Sequence, residues 1–147
     1  MDSYLSVYKR NERLYIVPSF ISRDGRRLGG DFVLMATCDE GSSSLADALR
    51  EALEISLHAP SKEPDRQEAR AALHKAANSR SEREFVRGTR ICGLHRIDDS
   101  FVVLPMRPGK GLNFQFEPTR TERLPATADL ATVAQRILEV LAESEEH

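Results

Sequence analysis

SSSLADALREALEISLHA, residues 42–59, is the stretch whose reading decides the fold. Leu45, Leu49, Ala52, Leu53 and Ser56 fall at i, i+4, i+7, i+8 and i+11, which stacks them on one face of a 3.6-residue helix. Asp47, Arg50, Glu51 and Glu54 cover the other face. A serine run opens the segment, with Asp47 three residues after Ser44 as a variant of the capping box, and Pro60 is the stop signal. Burying each leucine contributes roughly 1.5–3 kcal/mol. Such a stripe is a packing face. It says where the core lies and carries no chemistry of its own.

Working outward toward the N-terminus, residues 4–9 read as a strand, Asn11-Glu12 as a hairpin turn and residues 14–21 as a second strand. Pro18 inside that strand suggests an edge position or a bulge. RDGRRLGG, residues 23–30, is a loop carrying two turn signals, and DFVLMATC, residues 31–38, is a third strand expected to be largely buried. Beyond Pro60 a polar connector leads to a second helix over residues 66–77. Its face of Ala69, Ala72, Leu73 and Ala76 buries little, so this helix is expected at the periphery. Ser81-Glu82-Arg83-Glu84 is a capping box, and Gly88 closes the short third helix that follows it.

The chain then returns to strands. Residues 89–97 set Ile91, Gly93 and His95 on one face and Cys92 and Leu94 on the other. Asp98-Asp99-Ser100 is a turn, residues 101–106 are the most apolar strand, and residues 112–117 alternate as a sixth. Residues 119–129 read as an exposed connector, before a last helix over about 130–143 with Leu130, Val133, Ala134, Ile137, Leu138 and Leu141 inward. The result is an α+β class: a mostly antiparallel sheet of about six strands flanked by helices, in the order βββααα-βββ-α. The crossover between the two strand groups is long enough for them to join in either sense.

Composition bounds the possibilities. One domain spanning 1–147 is expected, long enough to bury a core without disulfides or metals. With 40% hydrophobic and 30% charged residues the chain is not a candidate for disorder. A net charge of −2 argues against a main role in holding a phosphate backbone, and the absence of Trp leaves no evident base-stacking platform. Cys38 and Cys92 lie in apolar stretches and read as reduced, buried thiols. The first residues carry Asp2 and no apolar run of the secretory type, so a cytoplasmic location is expected.

The chemistry-bearing residues form no specific constellation. His58, His74, His95 and His147 are scattered, and no metal-ligand spacing, nucleophile elbow or phosphate-cradling glycine loop occurs. The expectation is a protein that is not an enzyme and holds no cofactor or metal. Arg23, Arg26 and Arg27 with His95 leave open a second reading, a small nucleic-acid-binding or nucleic-acid-processing domain.

Read together, the N-terminal strand pair, SLADALREALEIS, the SEREFVRG helix feeding a strand, the hairpin ending in LPMRPGKGLNF and the closing ADLATVAQRIL resemble a family of immunity proteins from bacterial contact-dependent growth inhibition systems. The resemblance covers nearly the whole chain and rests on structural motifs. Its connector over residues 61–80 is longer and more charged than the family leads one to expect. The resemblance implies a cytoplasmic protein that binds and neutralises the C-terminal toxin domain of a large exported protein, often a nuclease. Such a role needs a rigid scaffold and a complementary patch. Nucleases are basic where they hold their substrate, so the acidic pairs Asp39-Glu40 and Asp98-Asp99 are the candidate toxin-binding residues.

Overall fold

A computed structural model of the chain describes residues 3–21, 27–30, 32–38, 42–58, 65–98, 100–109, 114–116 and 121–144; at 21, 27–29, 66, 114 and 116 it describes the backbone alone. The described residues form β1 (Ser3–Arg10), β2 (Arg13–Ile21), β3 (Arg27–Gly29), β4 (Leu34–Thr37), α1 (Ser43–Ser56), α2 (Arg66–Ala77), α3 (Glu82–Val86), β5 (Thr89–Ile97), β6 (Ser100–Pro108), β7 (Phe114–Phe116), β8 (Glu122–Pro125) and α4 (Leu130–Glu143).

Every strand pairing is antiparallel, and the sheet runs β3-β2-β1-β5-β6-β7, with β4 also on β2 and β8 also on β6. The expected α+β layout is therefore present, with six strands in the continuous path. The two strand groups, left open in sense by the sequence, join through β1 and β5 in a register from Ser3↔Arg96 to Arg10↔Thr89.

Two short strands lie in stretches read as loop or connector. β3 and β8 have three and four residues, too few to show a period. Their places follow a common plan. The outer edge of β2 is shared between β4, opposite Arg13 to Ile16, and β3, opposite Ser19 to Ile21. The outer edge of β6 is likewise shared between β8, opposite Ser100 to Val103, and β7, opposite Met106 to Pro108. Pro18 and Pro105 fall in the two gaps. The Pro18 carbonyl points to that outer edge, where it accepts from the Gly30 N–H at 2.8 Å. Its missing N–H lies on the same side, so the β1 ladder loses nothing. Gly30 permits this approach: a Cβ there would stand 2.6 Å from the Phe20 ring.

One sheet face carries the main core. Leu5, Val7, Leu14, Ile16, Cys92, Leu94, Phe101 and Val103 meet α1 and α4 there, with Leu45, Leu49, Ala52 and Leu53 of α1 buried as their spacing requires. Ala46 and Ala48 are also buried, so the helix sinks deeper than a narrow stripe predicts. The other face carries a smaller core of Tyr15, Val17, Leu73, Phe85 and Val86 under α2 and α3. Leu73 is the hydrophobic residue of α2 that is fully buried, in keeping with a peripheral helix.

Caps set the helix ends. Asp65 accepts from the Gln67 and Glu68 N–H groups, Ser81 from Glu84, and Asp129 from Thr132. Asn78 (φ 53°) ends α2 in the left-handed region and Gly88 (φ 79°) follows α3. The capping box expected at Ser44 and Asp47 is not formed. The helix begins at Ser43, the Ser44 hydroxyl accepts from the Thr37 N–H at 3.2 Å, and Asp47 pairs with Arg50. Ser44 thus fastens α1 to β4. The stop assigned to Pro60 lies outside the described residues, and α1 ends at Ser56.

Leu49 is fully buried between the sheet and α4. Leu49→Ala should lower unfolding stability in urea by about 2–5 kcal/mol, with the lower end reached only if the site collapses on the void. A loss under roughly 0.5 kcal/mol would contradict this packing.

Candidate functional site

Of the acidic pairs singled out in the sequence, Asp98 is described and Asp39, Glu40 and Asp99 lie outside the described residues. Asp98 is exposed on the β5–β6 turn with φ 46°, a left-handed conformation that Asp tolerates better than most residues. Cys38, which precedes Asp39, donates its N–H to the Glu12 carbonyl at 3.2 Å and so sits by the β1–β2 turn. That turn and the β5–β6 turn cap opposite ends of β1, whose eight residues span roughly 25 Å at about 3.3 Å each. The structure does not bring Cys38 and Asp98 together.

His95 pairs across strands with Tyr4, their rings stacked at 3.6 Å between centroids and 23° between planes. Both are half-buried. Arg23 and Arg26 lie outside the described residues, and Arg27 is described as backbone in β3. His58 is exposed beside Glu54 at 3.7 Å.

His74 is better connected than its sequence position suggests. Its Nδ1 lies 2.9 Å from the Ser79 hydroxyl and its Nε2 2.9 Å from a Glu82 oxygen, while Arg70 engages the second oxygen of Glu82. The ring meets Phe85 edge-on at 5.5 Å. This serine–histidine–glutamate set spans the end of α2 and the start of α3, and it clamps the two helices over the smaller core. No pattern in the sequence points to it, because its members come from two helix termini joined by a left-handed turn.

Two strand arginines serve helix ends in the same way. Arg10 donates to the carbonyls of Glu84, Phe85 and Arg87 at 2.7–2.9 Å, closing α3. Arg90 donates to Leu141 and Ala142 at 3.1 and 3.0 Å, closing α4. Each sets a cation against the negative end of a helix. Arg136 bridges Glu122 of β8 and Glu139 of α4, and these hydrogen bonds raise its pKa further above the usual guanidinium range.

The largest departure from the sequence reading lies before α1. The third strand was expected to be buried, yet Phe32 is 55% exposed and Met35 52% exposed. The strand is shorter than the apolar run, and among the described residues β4 pairs with β2 alone. Ala36 faces the main core, whereas Met35 points out of it. Along β4 and the first turns of α1 runs an open groove of about 340 Å³, lined by Leu34, Met35, Ser43, Ser44, Asp47, Ala48 and Glu51.

Among the described residues, no helix is long and apolar enough to cross a membrane. Cys38 and Cys92 are not joined in a disulfide, and Cys38, expected to be buried, is half-buried. Cys92 is buried, and loss of solvent pushes its thiol up to about 12.

No family model matches the chain, and no curated protein matches it in sequence. Solved structures do match. A protein of unknown function from Neisseria meningitidis superposes with a TM-score of 0.80 at 14% identity, covering 99% of this chain and 96% of that one. A chain of the CdiA-CT/CdiI toxin and immunity complex from Yersinia pseudotuberculosis superposes with a TM-score of 0.71 at 12% identity, covering 99% of this chain and 98% of that one. At these identities the likeness is one of fold.

The thiols differ in reactivity. At pH 8 an alkylating reagent should modify half-buried Cys38 in the native protein and reach Cys92 only after denaturation, because a buried thiol with a pKa near 12 holds almost no thiolate. Equal native labelling of both would contradict the burial of Cys92.

Proposed function

We propose that this chain is a cytoplasmic immunity protein that binds and neutralises the C-terminal toxin domain of a contact-dependent growth inhibition system, and that this toxin is a nuclease. The observation that carries the proposal is the end-to-end fold overlap with a chain of a toxin and immunity complex, joined to the motif resemblance of the sequence.

The architecture suits such a role. A main core on one sheet face and a clamped helix pair on the other make a stiff platform. A stiff platform lowers the ordering cost of association. A standard interface buries roughly 1,600 Å² in total, which a chain of this size can offer. The protein needs no turnover of its own. The histidines support this: His74 clamps two helices and His95 packs on Tyr4. The same packing of His95 gives the nucleic-acid alternative no added support.

The direct experiment pairs this chain with the toxin domain encoded beside it. Cells producing that domain should grow when the chain is co-produced and fail without it, and the two proteins should co-purify. Lack of both protection and binding would end the immunity reading. Hydrolysis of RNA, DNA or esters by the pure chain, abolished by His95→Ala, would contradict the absence of catalysis.

Asp39, Glu40, Asp98 and Asp99 are proposed as charged contributors to association. Changing Asp39-Glu40 to Asn-Gln and Asp98-Asp99 to Asn-Asn should slow association and flatten its salt dependence. If neither variant shifts either rate by more than about twofold, well below the tenfold that ~1.4 kcal/mol represents, the acidic pairs are not contacts.

A further inference from the structure

We infer that α2 is a lid over the smaller core, latched by the His74–Glu82 contact, and that it opens as a unit while α3 and the main core stay in place. Such a lid belongs to the fold and holds whether or not the immunity reading does.

α2 buries little for its length. α1 carries six buried residues and α4 five. α2 has twelve residues, and among those described Leu73 alone is buried. Ala76 and Ala77 pack half-buried against the smaller core, each offering one methyl group. Ordering a residue costs conformational freedom wherever it sits, so a helix that buries one leucine is held with little to spare. A free helix of this length is marginal in water, even with Asp65 and Asn78 capping its ends. α2 therefore owes its order to docking, and loses docking and helix together.

Its neighbour over the same core is held differently. α3 has five residues, yet Phe85 and Val86 are 1% and 2% exposed. Arg10 of β1 donates to three carbonyls at the end of α3 at 2.7–2.9 Å, and its guanidinium lies over the Phe85 ring, 5.9 Å from the centroid. The Thr89 hydroxyl donates to the Phe85 carbonyl. None of these contacts passes through α2, so α3 keeps them all when α2 leaves.

The latch is small. Among the described residues, the polar side-chain contacts between α2 and α3 converge on Glu82. One of its oxygens lies 2.9 Å from His74 Nε2 and the other meets Arg70. The Arg70 pair is exposed enough to contribute little in water. The His74 side chain is 19% exposed, its Nδ1 lies 2.9 Å from the Ser79 hydroxyl, and its ring meets Phe85 edge-on. One hydrogen bond and one ring contact thus carry most of the closure. Opening uncovers Tyr15, Val17 and Phe85, which are buried in the closed state. Elements that move are drawn from the least stable part of a fold, and α2 is that part among the described helices.

The test is native-state hydrogen exchange on the full chain, in the regime where rates report opening equilibria, over a series of low denaturant concentrations. The α2 amides should exchange at least about 100-fold faster than the slowest amides of α1 and α4, as one group with a shallow, non-zero denaturant dependence. The Phe85 and Arg87 amides, which bond to Ser81 and Arg83, should stay more than about tenfold slower than α2. Ile137→Val in the main core should speed the slowest amides of α1 and α4 several-fold and leave α2 within about twofold, because the opening of α2 keeps that core intact. Glu82→Gln, which keeps the shape of the latch and removes its charge, should speed α2 at least about fivefold, and Leu73→Ala should do the same through the apolar contact. α2 amides as slow as the slowest of α1, or speeded by Ile137→Val by the same factor, would show that α2 leaves only with the whole fold. Phe85 and Arg87 amides exchanging at the α2 rate would show that α3 leaves with it. Exchange without denaturant dependence would mean fraying of single amides, and an α2 rate unmoved by Glu82→Gln would remove the latch. Any one of these results overturns the inference.

Discussion

The antiparallel seam between β1 and β5 is the contact on which the rest of the structure depends. It joins the N-terminal hairpin to the C-terminal strands across about 80 intervening residues. Closing a loop of that length costs roughly 4 kcal/mol plus a constant by the logarithmic scaling. Side chains across the seam offset this. Val7 faces Cys92 and Leu5 faces Leu94, all buried, and each large aliphatic contributes about 1.5–3 kcal/mol. A slip of one residue by β5 would turn Cys92 and Leu94 outward and bring Gly93 and His95 into the main core, so the register is held by burial on that face. Arg10 and Arg90 extend the seam's influence. They leave its end to close α3 and α4, so that strand pairing and helix placement stabilise one another.

Much of this was legible in the sequence where a period had room to show. α1 and α4 each place a run of buried side chains at helical spacing, and α2 runs from Arg66 to Ala77 as its pattern indicates. β5 alternates as read, with Cys92 and Leu94 inward. The failures have physical causes. β3 and β8 owe their existence to the outer edges of β2 and β6 and not to their own few residues. The capping box at Ser44 failed because the helix already begins at Ser43, and the Ser44 hydroxyl serves the Thr37 N–H instead. β4 looked buried because apolar composition records the preference of a residue and not the number of neighbours its strand will have. An outermost strand with a helix over one face leaves Met35 on the other.

The candidate site was less legible, for a related reason. Acidic pairs at turns can be read from a sequence, and their separation cannot. Only the register shows that Cys38 and Asp98 lie at opposite ends of β1, so charge near the two would act on a partner as distant features. Fold likeness does not decide among them, since one fold carries many surfaces.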